Sequence, residues 1–523
     1  MKNIEININP TNFPNQDVSD SVKASEEYGQ QVGQSIQYEW FRRDGNGCRF
    51  YSQWIEFHRR KLYARGEQPI GKYKNEIAVD GDLSYLNLDW TPVPIIPKFV
   101  DIVVNGMSDR MFDIKTYAQD ALSTEKRQQF QNMIAADMIA KPILQDAADL
   151  GINMFNTPDQ ELPENEAELN LYMQMNYKPA IEIAEEEAIN TVLEMNHYKS
   201  RIRQRMNYDL MTLGVSFVKH EFYPGSGVRV EYVDPATLVY SYTESPTFDD
   251  CFYYGEVKQV PITELVKINP NITNAELEEI SKMSSMWYNY YGILRPYQDT
   301  LFQKDVVTLL FYQYKTTKNM VYKKKKLDNG GERVIPKDDG FNPPEQETEK
   351  FEKLSKKIEV WYDGIMVMGT PKVLKWELAK NMVRPQSASQ KTLPNYIGAA
   401  PRMYKGVIES LVRRMINFAD LIQITHLKIQ QVVAKVVPDG VFIDADGLNE
   451  VDLGTGAAYN PEDALKLYFQ TGSVIGRSYT QDGEFNNARI PIQELGTNSG
   501  QGKMSSLIGT YNHYLNMIRD VTG

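Results

Sequence analysis

Two cysteines in 523 residues, Cys48 and Cys251, are too few and too far apart to frame a disulfide scaffold or a thiolate metal knuckle, and their scarcity fits a reducing compartment. Histidine is scarce as well: His58, His197, His220, His426 and His513 stand singly, with no partner four residues away, so no paired imidazoles of the zinc-binding kind are present. No run approaches the roughly 18 apolar residues of a membrane-spanning helix, and the opening Met1–Pro10 lacks the apolar centre of a signal peptide. Repeats are missing, and so are HExxH, GxSxG and GxGxxG. These absences lead us to expect a soluble chain made in the cytoplasm, with no membrane partner, metal, cofactor or catalytic residue.

What is present is an ordinary folded composition, 42% hydrophobic and 24% charged, enough for a large core shared among about two to four domains. The 32 tyrosines suit broad interfaces, since each offers apolar area with a polar tip. A formal net charge of −12 argues against a protein that coats nucleic acid with lysine and arginine. It is compatible with one past which nucleic acid slides.

The longest periodic segment runs from Pro401 to Val437, where Met403, Val407, Leu411, Met415, Phe418, Ile422, Ile429, Val432 and Val436 recur at helical spacing. Its polar faces include Lys405, Glu409, Arg413 and Arg414, and Pro438-Asp439-Gly440 stops it. At 1.5 Å per residue such a helix spans roughly 55 Å. Earlier, residues 1–16 read as a polar arm and 17–43 as a helix through Val22, Tyr28, Val32, Ile36 and Trp40. Further helices are expected near 54–65, 98–117, 123–148, 165–213 and 274–285, with a loop from Glu67 to Pro97. A hairpin pairs Val215–Phe222 with Val228–Val233 across Pro224–Gly227 and ends at Asp234-Pro235. Residues 305–378 are β-rich: Val306–Thr317 and Met320–Lys325 read as strands, and Ile358–Tyr362 and Ile365–Met368 flank a turn at Asp363-Gly364. Between them 327–356 reads as an exposed loop. Short strands at 441–443 and 489–493, a polar stretch at 472–503 and a helix at 504–520 complete the pass.

Three motifs come near to chemistry. Gly496 to Ser505 (GTNSGQGKMS) resembles a phosphate loop, yet five residues separate Gly496 from Gly502-Lys503, and Met504 stands where a magnesium-binding hydroxyl is needed. Asp444-Ala-Asp446-Gly447 fails the twelve-residue spacing of a calcium loop and reads as a turn. Lys323, Lys324, Lys325 and Lys326 form the densest basic run, either a solvated hairpin tip or a contact for a polyanion or acidic partner.

In order, these pieces resemble the portal proteins of tailed bacteriophages, most closely those of crAss-like phages. Four places carry the likeness: Leu62–Gln68 (LYARGEQ); Ile95–Gly106 (IIPKFVDIVVNG); the helix, Gly214 and hairpin ending at Asp234-Pro235; and the long helix followed by a strand, a polar loop and Leu507–Gly523. The resemblance implies an α+β, mostly helical portal-type fold whose copies form a ring, and no enzymatic activity. It assigns 1–16 to a flexible arm, 17–260 to a wing, 261–400 to the first stem part and a β-rich clip, and 401–437 to the stem helix. Residues 438–503 become the wing continuation and tunnel loop, and 504–523 the start of a helix leading to a crown. Such proteins continue past this helix; here either the crown lies beyond Gly523 or there is none.

The implied partners are further copies in a twelve-membered ring, the major capsid protein, the terminase large subunit, head–tail adaptor proteins, and double-stranded DNA passing non-specifically through the channel. The implied location is the portal vertex of the virion. Tunnel-loop candidates facing the channel are Gln481, Asp482, Glu484, Asn486, Asn487 and Arg489; stem candidates are Lys405, Glu409, Arg413 and Arg414; the clip tip is Lys323–Lys326. Twelve copies of a −12 chain carry −144, and a wall of that sign repels phosphates and favours sliding. Another head–tail connector or adaptor ring is the alternative, and a P-loop-like ATPase a remote one.

Overall fold

A computed structural model describes residues 12–41, 49–77, 88–108, 112–151, 162–291, 306–326, 331–342, 351–380, 382–436, 441–443, 492–494 and 500–523. Among the described residues the α-helices are α1 (Asp20–Lys23), α2 (Glu26–Phe41), α3 (Arg49–Ala64), α4 (Ile70–Ile77), α5 (Ile96–Ser108), α6 (Ala121–Asp149), α7 (Glu166–Asn176), α8 (Ala180–Met195), α9 (Arg203–Thr212), α10 (Ile262–Ile268), α11 (Asn274–Tyr291), α12 (Leu411–Val436) and α13 (Gly500–Thr522). The strands are β1 (Ser216–Tyr223), β2 (Gly227–Val233), β3 (Leu238–Tyr240), β4 (Tyr253–Pro261), β5 (Val306–Lys326), β6 (Glu332–Lys337), β7 (Phe351–Val367), β8 (Val373–Leu378), β9 (Tyr396–Ala399), β10 (Met403–Tyr404), β11 (Val407–Ile408), β12 (Val441–Ile443) and β13 (Ile492–Glu494). The architecture is α+β, in two compact units: residues 1–38, 104–209 and 216–399 form one, and 39–103, 210–215 and 400–523 the other.

The first unit is built on an antiparallel sheet ordered β3-β4-β5-β7-β8, with β6 also paired to β5. Val, Tyr, Trp and Ile crowd the inner parts of β5 and β7, residue types that fit a pleated buried surface. Asp363-Gly364 is not a turn. β7 runs straight through it, because Gly364 pairs with Tyr312 and the tyrosine ring lies on the glycine; a Cβ there would stand 2.2 Å from Tyr312 Cζ. β5 is likewise one strand, and the expected loop contributes β6 and the first part of β7.

α2 reaches the same sheet face through two glycines a helical turn apart. A Cβ on Gly29 would meet the Trp376 ring at 2.5 Å, and one on Gly33 would meet Met366 Sδ at 2.5 Å. Each glycine costs about 1 kcal/mol of helix propensity, which the bare backbone offsets by admitting large rings. Tyr312 OH donates to the Gly29 carbonyl at 2.7 Å. Residues 12–16, read above as part of a flexible arm, lie on this core: Phe13 packs against Phe252, Tyr253 and Tyr314 with ring centroids 5.2, 5.4 and 6.0 Å away.

The hairpin β1–β2 forms where expected, and β9 joins it as a third strand. The helix expected over 165–213 is broken twice. Pro179 lacks an N–H and disfavours helical backbone before it, separating α7 from α8. His197, with φ +52°, then ends that run before a short π-turn, Tyr198–Ile202, leads into α9.

In the second unit α12 begins at Leu411, ten residues later than expected. Residues 403–408 instead form the hairpin β10–β11, turning at Lys405 (φ +47°) and Gly406 (φ +69°), and Ser410 caps the helix by accepting the Arg413 N–H at 3.1 Å. Val412, Met415, Ile416, Ala419, Ile422 and Leu427 are at most 4% exposed. At roughly 1.5–3 kcal/mol for each large side chain, that burial, rather than propensity, holds the helix. Asp420, also buried on α12, accepts from Tyr63 OH and Tyr73 OH at 2.7 Å each and pairs with Lys72 at 2.6 Å. Burial, with Asp420 adding, pushes the Tyr63 hydroxyl up to about 12. α13 packs along α12, and β12 pairs with β13.

Candidate functional site

Two basic clusters stand out in this acidic chain, one in each unit. The first lies on the outer part of β5, β6 and β7. β5 pairs with β7 in unbroken register from Leu309↔Val367 to Lys325↔Phe351, and with β6 from Val321↔Lys337 to Lys326↔Glu332. Directly paired residues share a face and the side-chain period is two, so the lysine run divides. Lys323 and Lys325 share one face with Arg333, Lys337 and Lys353; Lys324 lies on the other with Glu332, Glu352 and Lys356.

On the first face Lys323 Nζ sits 3.4 Å from the Phe351 ring centroid and Lys325 Nζ 5.8 Å from it, so one ring gathers two ammonium groups. Lys323 stands directly opposite Lys353, a like-charge pair that costs a ladder roughly 0.2–1 kcal/mol. On the second face Lys324 pairs with Glu332 at 2.8 Å, and that hydrogen bond raises the lysine pKa.

The second cluster is at the start of α12. Buried Arg60 of α3 donates from Nη1 to the Leu213 carbonyl at 3.1 Å and the Ile408 carbonyl at 3.4 Å, tying together the two chain segments behind the site. Gly214, at φ +86°, then passes so close that a Cβ would stand 2.2 Å from the Glu409 carbonyl oxygen. In front is a cavity of about 760 Å³ lined by Arg402, Tyr404, Lys405, Glu409, Arg413 and Arg414 among others. Arg414 Nε donates to Glu409 Oε1 at 2.8 Å. That bond, with Arg402 and Arg413 adding to it, holds the Glu409 carboxyl below its usual range. Four cations against one carboxylate make a groove for anionic groups, and Tyr404, 75% exposed, gives it an apolar wall.

The four stem candidates therefore do come together, but not as one helix face: Lys405 and Glu409 precede the helix, while Arg413 and Arg414 lie in its first turn. Arg402 was not singled out from the sequence, nor were Arg333, Lys337 and Lys353; strand register, once known, is the signal that finds the last three. Gln481, Asp482, Glu484, Asn486, Asn487 and Arg489 lie outside the described residues, as do residues 496–499 of the phosphate-loop-like stretch. Lys503 lies in the first turn of α13 and lines, with Lys428, a second groove of about 720 Å³. Lys326 belongs to β5.

Among the described residues no group of three His, Cys, Asp or Glu could hold a metal ion, and no helix is long and apolar enough to cross a membrane. Cys251 is buried, and burial pushes its thiol up to about 11, far from a reactive thiolate. No protein-family model matches this chain, and a search of curated proteins returns no match.

Proposed function

We propose that this chain is a subunit of a ring-shaped phage portal, a conduit at one capsid vertex through which double-stranded DNA is packaged and ejected. The order of parts carries the reading. A helix-rich N-terminal part is followed by a hairpin ending at Asp234-Pro235, a sheet with two long strands, the 26-residue helix α12, and the closing helix α13. In this assignment α12 is the stem helix, the outer part of β5–β7 belongs to the clip, and twelve copies surround the channel. Terminase and later the tail adaptor dock on the clip, and the capsid protein holds the rim.

Apolar surface supports the reading as well. On α6, Ile139 and Ile143 are 85% and 73% exposed, and on α7 Met175 is 75% exposed. Surfaces of that kind mark protein contacts, and a head-to-tail ring supplies a neighbour for every copy. The purified chain is expected to scatter light as a species of about twelve chain masses and to appear as a ring with an open axis in electron micrographs. A stable monomer at micromolar concentration overturns the proposal.

A further inference from the structure

The conduit reading supplies passage without grip, yet the face of the β5–β6–β7 arm that bears Lys323 and Lys325 is built differently from the rest of the chain. Five cations, Lys323, Lys325, Arg333, Lys337 and Lys353, share it through strand register, with no carboxylate among the residues they pair with on that face. All five are exposed or half-exposed. A sixth, Lys357, is faced by Asp17 at 3.8 Å. Strands set about 4.8 Å apart, with two-residue steps of about 6.8 Å along each, lay these charges out as a narrow basic ribbon. The like-charge pair Lys323–Lys353 weakens the ladder, and an anion seated between the two would relieve it.

The apolar groups on the two faces decide between ligand classes. On the cationic face no apolar residue is fully exposed: Val321 is buried, and Ile335 and Phe351 are half-buried, the Phe351 ring lying beneath Lys323. The opposite face exposes Val334 at 53% and Leu354 at 39%, and mixes lysine with Glu332 and Glu352. A protein partner takes hold through apolar anchors, whereas a phosphate backbone needs only charge. We propose that this cationic face binds the phosphodiester backbone of a nucleic acid, by charge and without reading bases. The arm is then a local point of grip on a chain whose net charge otherwise repels DNA.

The test is fluorescence anisotropy of the full chain with a labelled duplex of about 30 base pairs, and with a single strand of equal length, between about 50 and 200 mM salt. Five phosphate contacts predict a slope of log K against log salt of about −4 to −5 for the duplex. The triple variant Lys323→Gln, Lys325→Gln, Lys353→Gln is expected to flatten that slope by about 3 and to weaken binding at least tenfold at about 100 mM salt. The triple Lys318→Gln, Lys324→Gln, Lys356→Gln makes the same charge change on the other face and is expected to leave both nearly unchanged. Binding of either nucleic acid with that asymmetry supports the proposal, and the stronger of the two names the form preferred. Absence of binding, equal weakening by both triples, or polyglutamate competing as well as unlabelled duplex overturns it. A monomer and a ring are expected to show the effect alike, so its failure leaves the ring reading standing.

Discussion

The same two strands, β5 and β7, are held together by different forces along their length. In the inner half the ladder is one layer of a core. Tyr312, Tyr314, Trp361 and Val367 are all nearly or wholly buried, Trp376 stacks on Tyr312 and Tyr362, and two helix glycines make room for the rings. In the outer half, from about Lys318 and up to Lys357, side chains are mostly exposed or half-exposed and several are lysines. There the strands rest on main-chain hydrogen bonds and on a few cross-strand contacts, and they tolerate like charges face to face. Packing dictates identity in the first half, and the solvated half leaves identity free to serve binding.

The contrast breaks first where packing is tightest. Gly364→Ala places a methyl inside the Tyr312 ring and is expected to cost about 3 kcal/mol, read as a lowered urea midpoint. Adding Tyr312→Leu to it should recover part of that loss, because the two positions share one contact; strict additivity would show that ring and glycine do not compete. A middling effect belongs to the second cluster. Ser410→Ala removes the cap of α12 and is expected to cost about 1 kcal/mol in the same measurement.

Asp363 sharpens the comparison by pH. Burial raises its carboxyl pKa above the usual 3.8, with the Gln313 amide, which donates at 2.8 Å, opposing the shift. The native state therefore holds this proton more tightly than the unfolded chain does. Its contribution is fully present below 3.8 and is lost as pH rises through the native value. Asp363→Asn keeps the acceptor and removes the buried charge, so it is expected to raise the urea midpoint at pH 7, with the gain vanishing as pH falls toward 3.8. A gain of equal size at both pH values would assign it to packing instead.

The smallest effect is expected in the outer half. Lys353→Glu exchanges a like-charge pair with Lys323 for an opposite one and should stabilise by only a few tenths of a kcal/mol. A change above about 1 kcal/mol would mean that this half, too, is held by packing.

Much of the helical and hairpin content was legible because each element carries its own period. α6, β1 and β2 lie close to their expected positions, whereas α5 ends at Ser108, well short of the expected 117, and α11 runs past the expected 285 to Tyr291. The errors have two causes, one long-range and one local. Asp363-Gly364 carries turn chemistry, but the space it leaves is filled by a ring 52 positions away in sequence, and nothing local announces that. Pro401 looked like a helix start because the apolar spacing continues through Met403 and Val407, whereas the Lys405-Gly406 turn and the Ser410 cap outvoted it. Of the candidate site residues, Arg413 and Arg414 were legible as neighbours in sequence. Their union with Arg402 across a hairpin was not.

The sequence by itself determined the chain's acidity, the poverty in cysteine and histidine, the amphipathic stripe of α12 from Leu411 onward and the existence of a lysine run. Tertiary structure alone decided that this run splits between two faces, which cations join each half, and where a glycine serves a neighbouring ring instead of a turn. The reason is physical: period and propensity act over a few residues, while register, ring packing and the meeting of charges join positions tens to hundreds of residues apart.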